Sequence, residues 1–164
     1  KSKTRAAIAA LSILKGMVCN DTFLFTYINS YSIPLTVTQI MIENHSHSIL
    51  HRACRDFISA CFASNKLDPS KIKQVLTLIV LNYESKICHL RASLKLLANS
   101  LLLIISKKPQ LIKITKEIED FPKFISDLQK YNVNVNTFYG GVIECKSDEL
   151  QKLALQVLPV LRLF

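Results

Sequence analysis

The segment from residue 85 to residue 106, SKICHLRASLKLLANSLLLIIS, constrains the fold more than any other part of the chain. Leucine and isoleucine recur in it every three or four residues, which is the spacing of one face of an α-helix. These residues are Leu90, Leu94, Leu97, Leu101, Ile104 and Ile105. Further apolar residues widen this face until only a strip with Arg91, Lys95 and Asn99 is left for solvent. Because such a helix is stable only when buried, the segment predicts a central helix with partner helices on both sides.

Length and composition favour a single helical domain. With 164 residues the chain is long enough to bury a hydrophobic core, so we expect residues 1–164 to form one domain. Apolar residues make up 49% of the chain and only 3 residues are glycine, which favours helices over sheets. The chain has no initiating methionine, and we therefore expect it to be a fragment of a larger protein. The longest run of leucine and isoleucine, Leu101–Ile105, is far shorter than the roughly 20 residues of a membrane span, so no span is predicted.

Helical periodicity and helix-start signals predict seven to nine helices and no sheet. The clearest start signal is Asp68-Pro69, an N-cap residue followed by proline at the first helical position. The predicted helices cover residues 4–18, 34–43, 49–63, a segment from 69, 85–106, 111–118, 121–131 and a segment from 147. Residues 23–31 fit either a short helix or a strand. Residues 132–145 contain Asn134, Asn136, Gly140 and Gly141, and this composition predicts a loop or a short hairpin.

The strongest predicted helices share a weak internal repeat. When segments of these helices are aligned, each segment has a cation at its first position, at residues 5, 52, 91 and 152, and the residue six positions later is always apolar. The intervals are 47, 39 and 61 residues, and the first two match the period of about 40–47 residues of helical solenoid repeats. The longer third interval contains the segment 132–145, which we interpret as an insertion.

The chain resembles the armadillo/HEAT superfamily of α-solenoids in this spacing and in residue type. The best local match, Leu96-Leu97-Ala98-Asn99-Ser100-Leu101, is similar to the last-helix signature of an armadillo repeat. Asn99 stands at the place of the asparagine that, in that family, bonds the backbone of an extended peptide. The resemblance implies a right-handed superhelix, and the scarcity of turn glycines implies an irregular one.

The resemblance also implies a function without chemistry, namely that of a scaffold that binds another protein along a helical face. Such domains serve in cytoskeletal, centrosomal and nuclear assemblies. Five cysteines, an odd number without the dense spacing of a disulfide framework, fit a reducing compartment. We therefore predict an intracellular protein, cytoplasmic or nuclear.

The basic charge leaves an alternative function open, that of a nucleic-acid-binding helical domain. The chain has 21 lysines and arginines against 12 acidic residues, a formal net charge of +9, and a basic domain of this kind raises the probability of nucleic-acid or acidic partners. One predicted cluster lies at a helix corner and the central helix extends it. The candidate partner-binding residues are Arg91, Lys95, Asn99, Lys107, Lys108, Lys113 and Lys116.

Catalytic and metal-binding motifs give little support to an enzyme. The chain has no His-Glu-X-X-His, no Gly-X-Ser-X-Gly and no glycine-rich phosphate loop, so no catalytic residue and no cofactor is predicted. His47, His51 and Cys54 have the helical spacing of a zinc ligand set. Free cysteines are usually buried, however, and we predict that Cys54 lies in the core while the histidines decorate an exposed turn, without a metal.

Overall fold

The computed structural model describes residues 2–20 and 24–137, and these residues form helices and turns without a strand. The described part contains eight helices, which confirms the all-α class. They are α1 (Ser2–Asn20), α2 (Leu24–Ser30), α3 (Ile33–Glu43), α4 (Ser48–Ala63), α5 (Pro69–Asn82), α6 (Cys88–Ile105), α7 (Pro109–Thr115) and α8 (Phe121–Thr137). The helix predicted from residue 147 and the fourth cation of the repeat lie outside the described residues.

Proline and asparagine set several of the helix boundaries at the predicted places. Pro34 and Pro69 each lie in the first turn of a helix, where the missing N–H of proline costs no hydrogen bond. Pro109 also lies in a first turn, so the helix predicted at residues 111–118 is instead Pro109–Thr115. Asn65 adopts a left-handed conformation with φ of 62° just after α4, a conformation that a helix cannot continue. Residues 23–31, whose sequence fits either a short helix or a strand, contain the two-turn helix α2.

The predicted loop at residues 132–145 is wrong at its start. Residues 132–137 continue α8, although asparagine and valine are weak helix formers. Asn132 is buried and hydrogen-bonded to another helix, and this tertiary contact outweighs the local propensity. The rest of the predicted loop, residues 138–145, lies outside the described residues.

The helices pack in two rows. In the first row α1 packs on α4, α4 packs on α6, and side chains of α8 contact α6. In the second row α3 packs on α5 and α5 packs on α7. Contacts of α3 with α4, and of α6 with α5 and α7, join the rows around one core. Each second-row helix has a proline as its first or second residue, as does α8 with Pro122.

The central helix α6 has the predicted buried face. Leu94, Leu97 and Leu101 are completely buried, as are several neighbours that the periodicity also placed inside. Ile104 is only half-buried, because it lies at the edge of that face. The solvent strip differs from the prediction: Leu96 is 38% exposed, whereas Asn99 is buried.

α6 is also, among the described helices, the one whose length and apolar composition would allow it to cross a membrane. The central helix of a packed core meets the same two criteria. The burial of its leucines between α4, α5 and α7 accounts for this composition.

Candidate interaction surface

Asn99, which aligns with the peptide-binding asparagine of armadillo repeats, makes its hydrogen bonds within the domain. Its side-chain amide and that of Asn132 on α8 exchange two hydrogen bonds, each of 3.0 Å, and both residues are buried. Each amide therefore uses one donor and one acceptor on the other. In this structure the Asn99 amide joins two helices of the first row, and it is used inside the fold.

Lys95 and Arg91 also have contacts within the chain. The ammonium of Lys95 lies 4.0 Å from the centre of the Tyr131 ring, the geometry of a cation–π interaction. Burial, together with the nearby Arg91, lowers the pKa of Lys95 below its ordinary value. The Arg91 guanidinium donates to the sulfur of Cys88 at 3.7 Å, a weak bond, and Arg91 is the exposed member of the predicted strip.

Lys108 stabilises the end of another helix. Its ammonium donates to the carbonyl oxygens of Phe62 and Ala63, at 2.6 and 3.0 Å, in the last turn of α4. These carbonyls lack partners within their own helix, and a cation also interacts favourably with the negative end of the helix dipole. Burial lowers the pKa of Lys108. This lysine therefore holds the α6–α7 corner against α4.

The remaining predicted lysines, Lys107, Lys113 and Lys116, are exposed at the α6–α7 corner and along α7. Lys107 lies 16 positions after Arg91, which is about 24 Å along a helix axis. Because surface charges are screened within roughly 8 Å at physiological salt, Arg91 does not extend this cluster electrostatically. Acidic residues follow Lys116 directly, and one of them, Glu117, pairs with Lys73 of α5 at 2.8 Å.

His51 is buried, which contradicts the prediction of an exposed histidine. Its Nε2 lies 3.0 Å from the carbonyl oxygen of Asn44, and its Nδ1 lies 3.0 Å from the hydroxyl of Ser93 on α6. A carbonyl can only accept, so Nε2 carries the proton and Nδ1 accepts from the serine. Burial lowers the pKa of His51, which keeps the ring neutral. Both ring nitrogens are occupied within the fold.

Cys54 lies in the core, where burial raises the pKa of its thiol to about 11. Within residues 2–20 and 24–137, no three side chains of His, Cys, Asp or Glu are arranged to hold one metal ion.

An open groove between α3 and α5 is the surface feature that the sequence reasoning missed. It has a volume of about 550 Å³, and its lining is mainly apolar. The lining residues are Leu35, Gln39, Ser70, Lys73, Gln74, Thr77, Leu78 and Leu81. Leucines that face solvent beside amide side chains can take apolar groups of a ligand and bond its polar backbone.

Leu81 is the most exposed apolar residue of this groove, with 70% of its surface accessible. The sequence contained a signal for it, because Leu78 and Leu81 lie one turn apart but outside the apolar stripe of α5. That stripe, Ile72, Val75, Leu76, Ile79 and Val80, is buried as predicted. Apolar residues outside an already complete stripe are candidates for a binding face.

Comparison of this chain with models of known protein families, with curated proteins and with solved structures gives no match.

Proposed function

We propose that this chain is a segment of an irregular armadillo/HEAT-like α-solenoid that binds another protein, as an intracellular scaffold without enzymatic activity. The observation that carries the proposal is the α3–α5 groove, a largely apolar surface with an exposed leucine on a helical face. Monomeric proteins keep few contiguous apolar surfaces in contact with water, and those that exist often bind partners.

The spacing of contacts along the rows supports the solenoid part of the proposal. Most side-chain hydrogen bonds that join residues of different helices or their ends, in the part that the structure describes, connect positions 33 to 46 apart, for example His51 with Ser93 and Asn99 with Asn132. The bond of His51 to Asn44 is shorter in sequence, 7 positions. A solenoid produces this spacing because each repeat contacts the next one, about 40 residues along the chain. Arg5, Arg52 and Arg91 of the sequence repeat lie on α1, α4 and α6, successive helices of the first row.

The candidate basic residues give weaker support to nucleic-acid binding. Lys108 is bonded to backbone carbonyls, Lys95 lies over an aromatic ring, and Glu117 and its acidic neighbours follow the α7 lysines. Nucleic-acid affinity grows with the number of phosphates that cationic side chains neutralise. In this arrangement few of the candidate cations are both free of contacts within the chain and close to one another. Protein binding is therefore the function that we propose.

Affinity capture with two matched variants tests the proposal. Leu81→Glu places a charge in the groove, whereas Ile49→Glu changes an equally exposed residue, 71% accessible, at the start of α4. Neither side chain is buried, so both variants should fold. We expect cell extract to yield a protein that binds the wild-type chain and Ile49→Glu but binds Leu81→Glu at least tenfold less. The same bound proteins with all three chains would contradict the proposal.

A further inference from the structure

Arg52 and Arg55 lie three residues apart on α4, so they project from neighbouring positions of the helix. Arg52 is exposed and Arg55 is half-buried. The neighbouring carboxylate, Asp56, bonds Lys15 of α1 at 3.3 Å. The pair therefore leaves an excess of positive charge on α4.

The Nε atom of Arg55 is buried and has no hydrogen-bond partner, and it is the one side-chain nitrogen or oxygen of the described residues in this state. A buried donor without an acceptor opposes folding, because it loses its bond to water and gains none. Burial also lowers the pKa of Arg55 below its ordinary value. An arginine that costs stability in the free domain needs another reason for its position.

The contacts between α4 and α6 place Arg55 at the seam of these two helices. His51 of α4 bonds Ser93 of α6, and the α4 carbonyls at Phe62 and Ala63 bond Lys108 beyond the end of α6, so the helices run parallel. Arg55 lies one turn after His51, and Leu96 lies one turn after Ser93. Arg55 and the exposed Leu96 are therefore at the same level of the seam.

We propose that Arg52 and Arg55 bind the carboxylate of a glutamate or aspartate in a partner protein, whose adjacent apolar side chain packs on Leu96. Arg55 is half-buried and its Nε is enclosed, so the terminal nitrogens are the donors that remain for a ligand. They donate to the carboxylate oxygens in the paired geometry that guanidinium and carboxylate favour. The proposal rests on the proposed function in that the partner is a protein, but it uses the α4–α6 seam and not the α3–α5 groove.

The surroundings favour a carboxylate of a protein over a phosphate of nucleic acid. The exposed Leu96, at the same level of the α4–α6 seam as Arg55, matches an apolar side chain next to the carboxylate in a peptide, and a sugar–phosphate backbone has no such side chain. Asp56 on the next position of α4 also repels a phosphate, with its higher charge, more than a single carboxylate.

Peptide titration followed by NMR tests the site directly. The probe is the blocked peptide Gly-Leu-Glu-Leu-Gly, its control is the same peptide with glutamine in place of glutamate, and the signal is the Nε–Hε resonance of Arg55. We expect a saturable shift with the glutamate peptide at millimolar concentration and at least tenfold weaker binding of the glutamine peptide. Arg55→Gln should weaken binding of the glutamate peptide at least tenfold, whereas Arg5→Gln, an exposed arginine on α1, should leave it unchanged.

Equal binding of the two peptides, or unchanged binding by Arg55→Gln, would overturn the proposal. Tighter binding of inorganic phosphate than of the glutamate peptide would assign the arginines to phosphate and also overturn it. Arg55→Gln removes the buried Nε donor that has no acceptor, so this variant should melt no lower than wild type. Arg52→Gln provides a second variant with a change at an exposed residue. These variants leave the α3–α5 groove intact. If Leu81→Glu weakens the affinity capture of a partner protein and Arg55→Gln does not, the proposed carboxylate site at the α4–α6 seam is wrong while the proposed function stands.

Discussion

Asn99 of α6 and Asn132 of α8 hold each other by two hydrogen bonds of 3.0 Å in the interior of the domain. The pair fixes one register of α8 on α6, because a shift of either helix would leave both amides unpaired away from water. A polar pair of this kind specifies an arrangement of helices more than it adds to stability.

The first prediction concerns this pair. Asn99→Leu leaves the Asn132 amide buried without a partner and should lower the free energy of unfolding by about 1–3 kcal/mol. Asn132→Leu should do the same, whereas the double variant should recover most of the loss because no orphaned amide remains. Urea unfolding of the four proteins gives the coupling energy. Losses that simply add would show that the two amides do not interact.

The second prediction compares two adjacent lysines. Lys108→Met removes the two hydrogen bonds to the end of α4 and should lower the free energy of unfolding by about 1–2 kcal/mol. Lys107→Met changes an exposed lysine and should alter it by less than about 0.5 kcal/mol. Thermal or urea unfolding measures both. Equal effects would mean that Lys108 does not cap α4 in solution.

The third prediction is a pH dependence that His51 imposes. Its pKa is lowered in the folded chain, so the unfolded chain binds the proton more readily. The contribution of His51 to the free energy of unfolding is therefore fully present above the unfolded pKa of about 6.5, and it is lost as the pH decreases below that value. The melting temperature should decline between pH 7.5 and 5.5, and this decline should be smaller in His51→Gln. Identical pH profiles of the two proteins would mean that a group other than His51 causes the pH dependence.

The sequence predicts the helices well, because their causes are local. The apolar stripe of α5 and the prolines of α3, α5 and α7 act within one or two turns. The length of α8 is not predictable from local sequence, because the buried hydrogen bonds of Asn132 to Asn99 of α6, 33 positions earlier, oppose the weak helix propensity of asparagine.

The site was less predictable, because it depends on which helices meet. The contacts of the candidate lysines cannot be read from the sequence, because the carbonyls that accept hydrogen bonds from Lys108 lie 45 and 46 positions earlier in the chain. His51 follows an exposed polar turn in sequence, and its burial is acceptable because the carbonyl of Asn44 and the hydroxyl of Ser93 on a neighbouring helix bond its two ring nitrogens. The α3–α5 groove likewise exists only once two helices 35 residues apart are side by side.

Photocrosslinking from the groove tests the central claim, that this chain binds a protein, most directly. Benzoylphenylalanine replaces Leu81 in one variant and the equally exposed Ile49 in another, and both are irradiated in cell extract. We predict an adduct from position 81 that protease removes and nuclease does not, and no such adduct from position 49. An adduct that nuclease removes, or the same adducts from both positions, would contradict the account.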